Sequence, residues 1–258
     1  MTEHAINPPF QSGEPPAWRV WWRLARPFTL TASAVPVLVG TAVAIAEGGF
    51  RSPELFGAML VSSLVIQVAT NMFNEYYDFR RGLDTPQTVG IGGAIVSGRL
   101  APLTVFSAAI ACFFVALMLG LYIVVRSSPE VLFWGVASAL AGYLYTGGPL
   151  PIAYTPLGEA VVGFFMGPVI VGLAAFIQSG AVSGAALWAS LPIGCLVAAI
   201  LLANNIRDVV ADARAGRHTI PIALGRTAGI AILAILLGGA YAGVIAAVLW
   251  RALPPTAL

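Results

Sequence analysis

Three polar residues, Asn71, Asn74 and Asp78, stand at i, i+3 and i+7 in the stretch N-M-F-N-E-Y-Y-D-F-R-R-G-L-D (71–84), which follows a largely apolar run over 55–69. If the helix predicted for that run continues, the three stack on one face over two turns. Asn205, Asp208 and Asp212 repeat the spacing 134 residues later, again after a largely apolar run, 187–203. Aligned on Asp78 and Asp212, both copies read A-x-N-x-x-[N/D]-x-x-x-D-x-R-x-G. One copy alone reads as polar residues collecting where a helix leaves a membrane; two matching copies point to chemistry. Carboxylates sharing a helical face repel by roughly 3 kcal/mol per pair at about 5 Å and an effective dielectric of about 20, unless a cation sits among them. Oxygen-only donors of this kind suit Mg²⁺, which takes a couple of carboxylates and completes its shell with substrate phosphates.

The elements that must position these residues are membrane helices. The chain is 59% hydrophobic and 9% charged, with a mean hydropathy of +0.88, far from soluble composition. It reads as an all-α, polytopic transmembrane bundle. Seven apolar segments long enough, or nearly so, to span a bilayer fall near 28–46, 54–74, 102–125, 130–146, 157–177, 184–204 and 226–249. Residues 1–17 hold Pro8, Pro9, Pro15 and Pro16 and read as a disordered tail, leaving 18–258 as one transmembrane domain. Trp18–Arg26 carries three tryptophans and three arginines, which suits an amphipathic segment at the interface. Cys112 and Cys195 lie in apolar runs and read as packing residues rather than a disulfide.

All 13 basic residues are arginine and the net charge is only +2, which gives no nucleic-acid footprint. With the N-terminus inside, Arg51, Arg126 and Arg251 face out and the other arginines face the cytoplasm, a clear positive-inside bias. Both acidic motifs then lie on the cytoplasmic side, in or beside the longer loops. The inner mouth gathers Glu75, Asp78, Asp84, Asp208 and Asp212, with Arg80, Arg81, Arg207 and Arg217, and Tyr143, Tyr145 and Tyr154 from a third loop. Acids outnumber nearby arginines, and the charges balance only with both metal and a diphosphate present. That predicts metal-assisted departure of a diphosphate, with aromatic faces near the cation left behind. A prenyl diphosphate fits, its tail in the apolar bundle and its head at the mouth. A transporter would instead carry acids near the bilayer midplane on broken helices, and the D-x-x-D-G-x-x-A-R pattern of phosphatidyl-alcohol transferases is absent.

The paired Asp-rich motifs resemble the UbiA superfamily of membrane prenyltransferases, and within it the branch that prenylates 1,4-dihydroxy-2-naphthoate in menaquinone synthesis. The likeness rests on Arg26-Pro-Phe-Thr29, Asn74-Glu-Tyr-Tyr-Asp78 with Gly82-Leu-Asp84-Thr, and Tyr145-Thr-Gly-Gly-Pro149 with Leu157-Gly-Glu159. It is completed by Asn204-Asn-Ile-Arg-Asp208 with Asp212, Gly216, Thr219 and Leu224-Gly225. The resemblance implies an Mg²⁺-dependent enzyme of the bacterial plasma membrane that joins a polyprenyl diphosphate to an aromatic acceptor, dihydroxynaphthoate or another such as 4-hydroxybenzoate. It implies Asn74, Asp78, Asp208 and Asp212 as metal ligands, with Glu75 keeping a metal role. Asp78, Asp84, Asp208, Asp212 and Tyr145 would be catalytic, and Arg26, Arg81, Asn205, Arg207 and Arg217 would bind substrate. The family fold has nine helices, of which about seven are expected here, so the chain reads as shortened at its C-terminus. A catalytically impaired short form with a non-enzymatic membrane role is the competing expectation.

Overall fold

The computed structural model describes residues 16–85, 92–250 and 252–253. The expected tail lies outside the described residues up to position 15, and Ala17 already opens the first helix. That helix, α1 (Ala17–Ala25), buries Val20 and Leu24 and leaves Trp18 and Trp22 exposed. It ends at Arg26, a left-handed residue (φ 50°) that turns the chain through a short 3₁₀ turn, Pro27–Leu30. Helix α2 (Thr31–Ala46) follows. Helix α3 (Pro53–Arg80) starts with proline at its first position and Ser52 Oγ accepting from the Leu55 N–H, both N-terminal stop signals. Helix α4 (Pro102–Arg126) again opens on proline, and α5 (Glu130–Thr146) returns toward the end of the bundle where α3 finishes.

The next span is interrupted. Helix α6 (Gly158–Phe164) passes into a π-turn at Phe165–Val169 and continues as α7 (Ile170–Ser179). Pro168 has no N–H to donate at that point, a recognised cause of such a bulge. Helix α8 (Gly184–Arg207) breaks at Asp208 into α9 (Val209–Arg214), then α10 (Ile220–Leu224) and α11 (Arg226–Leu249). Among the described residues no strand occurs. Six stretches are long and apolar enough to cross a membrane: Ala17–Ala46, Pro53–Arg80, Pro102–Arg126, Gly158–Ser179, Gly184–Arg207 and Arg226–Leu249. The seventh expected segment, 130–146, is the helix α5, whose 17 residues lie at the short end of the roughly 17–25 that membrane-spanning helices use.

The most extensive pairings are α3 with α4, α8 with α11, and α2 with α7. Glycine permits the tightest crossings. A Cβ at Gly40 of α2 would collide with the Val171 carbonyl of α7, and one at Gly194 of α8 would come 2.7 Å from the Gly163 carbonyl of α6. Small residues at such crossings let backbones approach where apolar burial gives no advantage over lipid. The aromatic core around the C-terminal half of α3 centres on Phe73, ringed edge-on by Phe106, Phe113 and Tyr143 at 5.7, 5.2 and 5.3 Å. This packing fixes the rotation of α3 and hence the direction in which its motif points.

Candidate active site

Helix α3 runs unbroken through the first motif, so the i, i+3, i+7 spacing does place Asn71, Asn74 and Asp78 on one face. All three line a cavity of about 1460 Å³ enclosed by the bundle. The Asn71 amide nitrogen donates to the Ala25 carbonyl (2.8 Å) and to Thr29 Oγ1 (3.0 Å), tying the motif to the turn that carries Arg26. Glu75 falls on the opposite side. Its carboxylate is buried and accepts the Gly93 (3.0 Å) and Ile95 (3.3 Å) backbone N–H groups. A Cβ at Gly92 would collide with this carboxylate, so the glycine is required by close approach. The metal role expected for Glu75 is therefore replaced by a strap that holds the loop after α3.

The second motif is less regular. Helix α8 stops at Arg207, Asp208 caps it, and α9 carries Asp212. The Asp212 N–H still donates to the Asp208 carbonyl (2.9 Å), so the break is a kink and not a reversal. Asn205, Asp208 and Asp212 all reach the same cavity. The two motifs meet through one guanidinium: Arg217 Nη2 lies 3.2 Å from Asp78 Oδ1 and Nη1 lies 3.1 Å from Asp212 Oδ1. The three side chains are largely buried, at 16%, 11% and 10% exposure. Away from these charges the cavity walls are mostly apolar, with Phe113, Phe114, Leu117, Leu121, Phe165 and Leu201 among them.

The cavity thus gathers carboxylates and arginines together with many apolar side chains. Residues 33–258 match the UbiA prenyltransferase family. The chain belongs to the UbiA prenyltransferase family. It is 47% identical to the 1,4-dihydroxy-2-naphthoate octaprenyltransferase of Bacillus subtilis (strain 168), over 92% of this chain and 76% of that one. The enzyme of the same name from Mycobacterium tuberculosis (strain ATCC 25618 / H37Rv) is 34% identical over 91% of this chain and 79% of its own. Among solved structures, a UbiA homolog from Aeropyrum pernix K1 superposes with a TM-score of 0.67 at 18% identity, covering 95% of this chain and 83% of that one. The UbiA homolog from Archaeoglobus fulgidus bound to DMAPP and Mg²⁺ gives 0.65 at 18% identity, over 89% and 78%. At that identity the superpositions establish the UbiA fold.

Within the UbiA bundle the expected residues sort into three groups. Arg26, Asn74, Asp78, Asp84, Tyr145, Asn205, Arg207, Asp208, Asp212 and Arg217 line the cavity. Arg81 borders it too, but its guanidinium donates to the Thr146 (2.6 Å) and Gly148 (3.1 Å) carbonyls and stacks on Tyr77 and Tyr154. It pins the α5 exit loop to α3. Arg80 turns aside onto Tyr76. Of the three tyrosines, only Tyr145 lines the cavity. Tyr143 packs on Phe73 and shares a 2.8 Å hydroxyl contact with Tyr77, and Tyr154 lies beneath Arg81 and Arg217. His218 is exposed.

The charge balance changes accordingly. With Glu75 and Arg80 elsewhere, the lining holds four aspartates (Asp78, Asp84, Asp208, Asp212) and five arginines (Arg26, Arg81, Arg207, Arg214, Arg217), so acids do not outnumber arginines. Arg214 was not among the candidates. Nor was a role for Glu159, whose Oε1 accepts from Asn205 Nδ2 at 2.9 Å. Its signal was present: Glu159 is the sole charged residue between Glu130 and Arg207, and an ionisable group inside an apolar stretch is functional by default.

The donor set suits Mg²⁺. Aspartate and asparagine oxygens are hard ligands with no competing thiol or imidazole at the cavity wall. Among the described residues no three acidic, His or Cys side chains converge on one point. An ion at this wall would take one or two carboxylates and fill its shell with phosphate oxygens and water. Asp84 is perturbed as well: burial first, then the charges of Asp78 and Glu75, push its carboxyl up to about 6 from an ordinary 3.8. A raised carboxyl binds its proton more tightly in the folded chain. Its contribution to stability is thus complete below the ordinary value and is lost as pH rises through about 6. Metal-free protein should accordingly melt later at about pH 4 than Asp84 deprotonation allows at about pH 7, and Asp84→Asn should remove that part of the slope. An unchanged slope of melting temperature against pH in the variant counts against the burial and neighbouring charges that raise the Asp84 carboxyl.

Proposed function

We propose that this chain is an Mg²⁺-dependent prenyltransferase that joins the prenyl group of a polyprenyl diphosphate to 1,4-dihydroxy-2-naphthoate, the step named for its Bacillus and Mycobacterium relatives. The observation that carries the reading is the meeting of Asp78 and Asp212, from two separate motifs, across Arg217 at the polar end of an otherwise apolar cavity. That cavity exceeds the ~300–1,000 Å³ typical for drug-sized ligands, as a long prenyl tail requires. Asn74, Asp78, Asp208 and Asp212 line the wall where Mg²⁺ would be held, one or two carboxylates to an ion, and the ion would supply positive charge to the diphosphate leaving group. Arg26, Arg207 and Arg217 take phosphate oxygens, Arg217 with a fork suited to them.

The allylic C–O bond breaks with both electrons leaving on the diphosphate, and the electron-rich ring of the acceptor attacks the allyl cation. In a hydroxynaphthoate the attacked carbon carries the carboxylate, which departs as CO₂ and returns its bonding pair to the ring. Tyr145 lines the cavity, and its ring would be available to stabilise the cation. The positive-inside bias supports a cytoplasmic position for this end of the bundle and for the N-terminus, in a bacterial plasma membrane.

The test is transfer of labelled prenyl diphosphate in purified membranes. Excess chelator should abolish product, and restored Mg²⁺ should recover it. A saturated diphosphate analogue, unable to form an allyl cation, should inhibit without reacting. Dihydroxynaphthoate should outpace 4-hydroxybenzoate with a common donor. Undiminished transfer in chelator rejects the metal site, and faster transfer to 4-hydroxybenzoate reassigns the acceptor.

A further inference from the structure

Glu159 is buried at 3% exposure in α6, with one carboxylate oxygen taken by Asn205 Nδ2 and the other, Oε2, buried without a partner. No cation forms an ion pair with it among the described residues. Taking a carboxylate out of water with a single donor is costly, so its position calls for a function. The bond fixes one thing about Asn205. A carboxylate accepts only from the NH₂ side of an amide, so the Asn205 nitrogen is committed to Glu159. The amide oxygen, which accepts no hydrogen bond from the described residues, is left for the cavity that Asn205 lines.

The first motif repeats the device with different parts. Asn71 occupies the position of Asn205 in the repeat. Its nitrogen is likewise committed outside its own helix, to the Ala25 carbonyl and Thr29 Oγ1, while Asn71 lines the cavity. In both copies the leading asparagine is held by its nitrogen from a neighbouring element, and its oxygen is what remains to serve the site.

We propose that Glu159 is a positioning residue, whose buried carboxylate holds the Asn205 amide so that Asn205 Oδ1 is presented as an oxygen ligand to the cation–diphosphate head group. This rests on the metal–diphosphate reading above. Partners that orient a metal ligand from behind typically govern affinity by 10–100-fold.

Full-length protein in detergent, with Mn²⁺ as the spin probe and inorganic pyrophosphate as the anion, tests it by the paramagnetic resonance signal of free Mn²⁺. Wild type should bind Mn²⁺ in the presence of pyrophosphate. Glu159→Leu should weaken binding by ~10–100-fold, whereas Glu159→Gln, which keeps an acceptor oxygen, should stay close to wild type. Asn205→Ala should lose as much as Glu159→Leu, and the two together no more than either. Wild-type affinity in Glu159→Leu, or full additivity of the two losses, overturns the positioning role while leaving the head-group reading intact. Absence of binding by wild type overturns both. Should Glu159→Leu not fold, the exchange Glu159→Gln with Asn205→Asp carries the test, since it keeps the bond with donor and acceptor swapped and an oxygen toward the cavity. Binding at least as tight as wild type supports the proposal, and binding weakened tenfold or more rejects it.

Discussion

Asp78→Asn and Asp212→Asn are each expected to lower prenyl transfer by at least ~10²-fold, the scale on which one preorganised charge-stabilising group acts. Each change keeps size and polarity while removing one of the charges that meet across Arg217. Both should insert and fold, because the apolar faces of α3 and α8 are untouched. Glu54→Gln is the control: Glu54 is an exposed acid at the start of α3, more than six turns from Asp78 on the same helix. It should leave transfer near wild type. Rates per folded protein, measured at saturating Mg²⁺, decide the matter. Because the idea depends on two motifs acting as one site, near-normal transfer by either variant is enough to sink it.

The sequence made the first motif legible because α3 is regular there. A 3.6-residue period sent Asn71, Asn74 and Asp78 to the cavity and Glu75 away from it. The second motif obeyed the same spacing less strictly, since α8 breaks at Asp208, and only the repeat itself revealed that Asp212 would return to the site. Spacing within one element says nothing about what comes from another. Arg81 and Arg217 both looked like phosphate binders, yet one clamps the carbonyls of Thr146 and Gly148 while the other joins the two motif aspartates. The tyrosines share this problem: three lie close in sequence, but the helical end of α5 sends Tyr143 into the Phe73 cluster and Tyr145 to the cavity. At α5 only length separates the segment from the six longer stretches, since its apolar composition is of the same kind as theirs.

Arg217 is the second residue on which a large effect should fall. Arg217→Gln removes the cation between two largely buried carboxylates, and breaking such a pair from one side typically costs about 3–5 kcal/mol. Expressed in transfer, a loss of ~10²-fold or more in kcat/KM for the prenyl diphosphate is expected. Arg217→Lys keeps the charge but reaches one carboxylate at a time, so it should recover much of the loss without restoring it. A bare loss of activity would not separate a phosphate ligand from a structural brace, but melting behaviour does. With Arg217 gone, Asp78 and Asp212 face each other with no cation between them, and added Mg²⁺ has more repulsion to relieve than in wild type. A ligand that binds only the folded chain raises its melting temperature by mass action. Mg²⁺ should therefore raise the melting temperature of Arg217→Gln by more than that of wild type, while transfer stays low because the phosphate loses its guanidinium. An equal Mg²⁺ response in the two proteins, together with near-normal kcat/KM, would mean that Arg217 neither balances the aspartates nor holds the diphosphate.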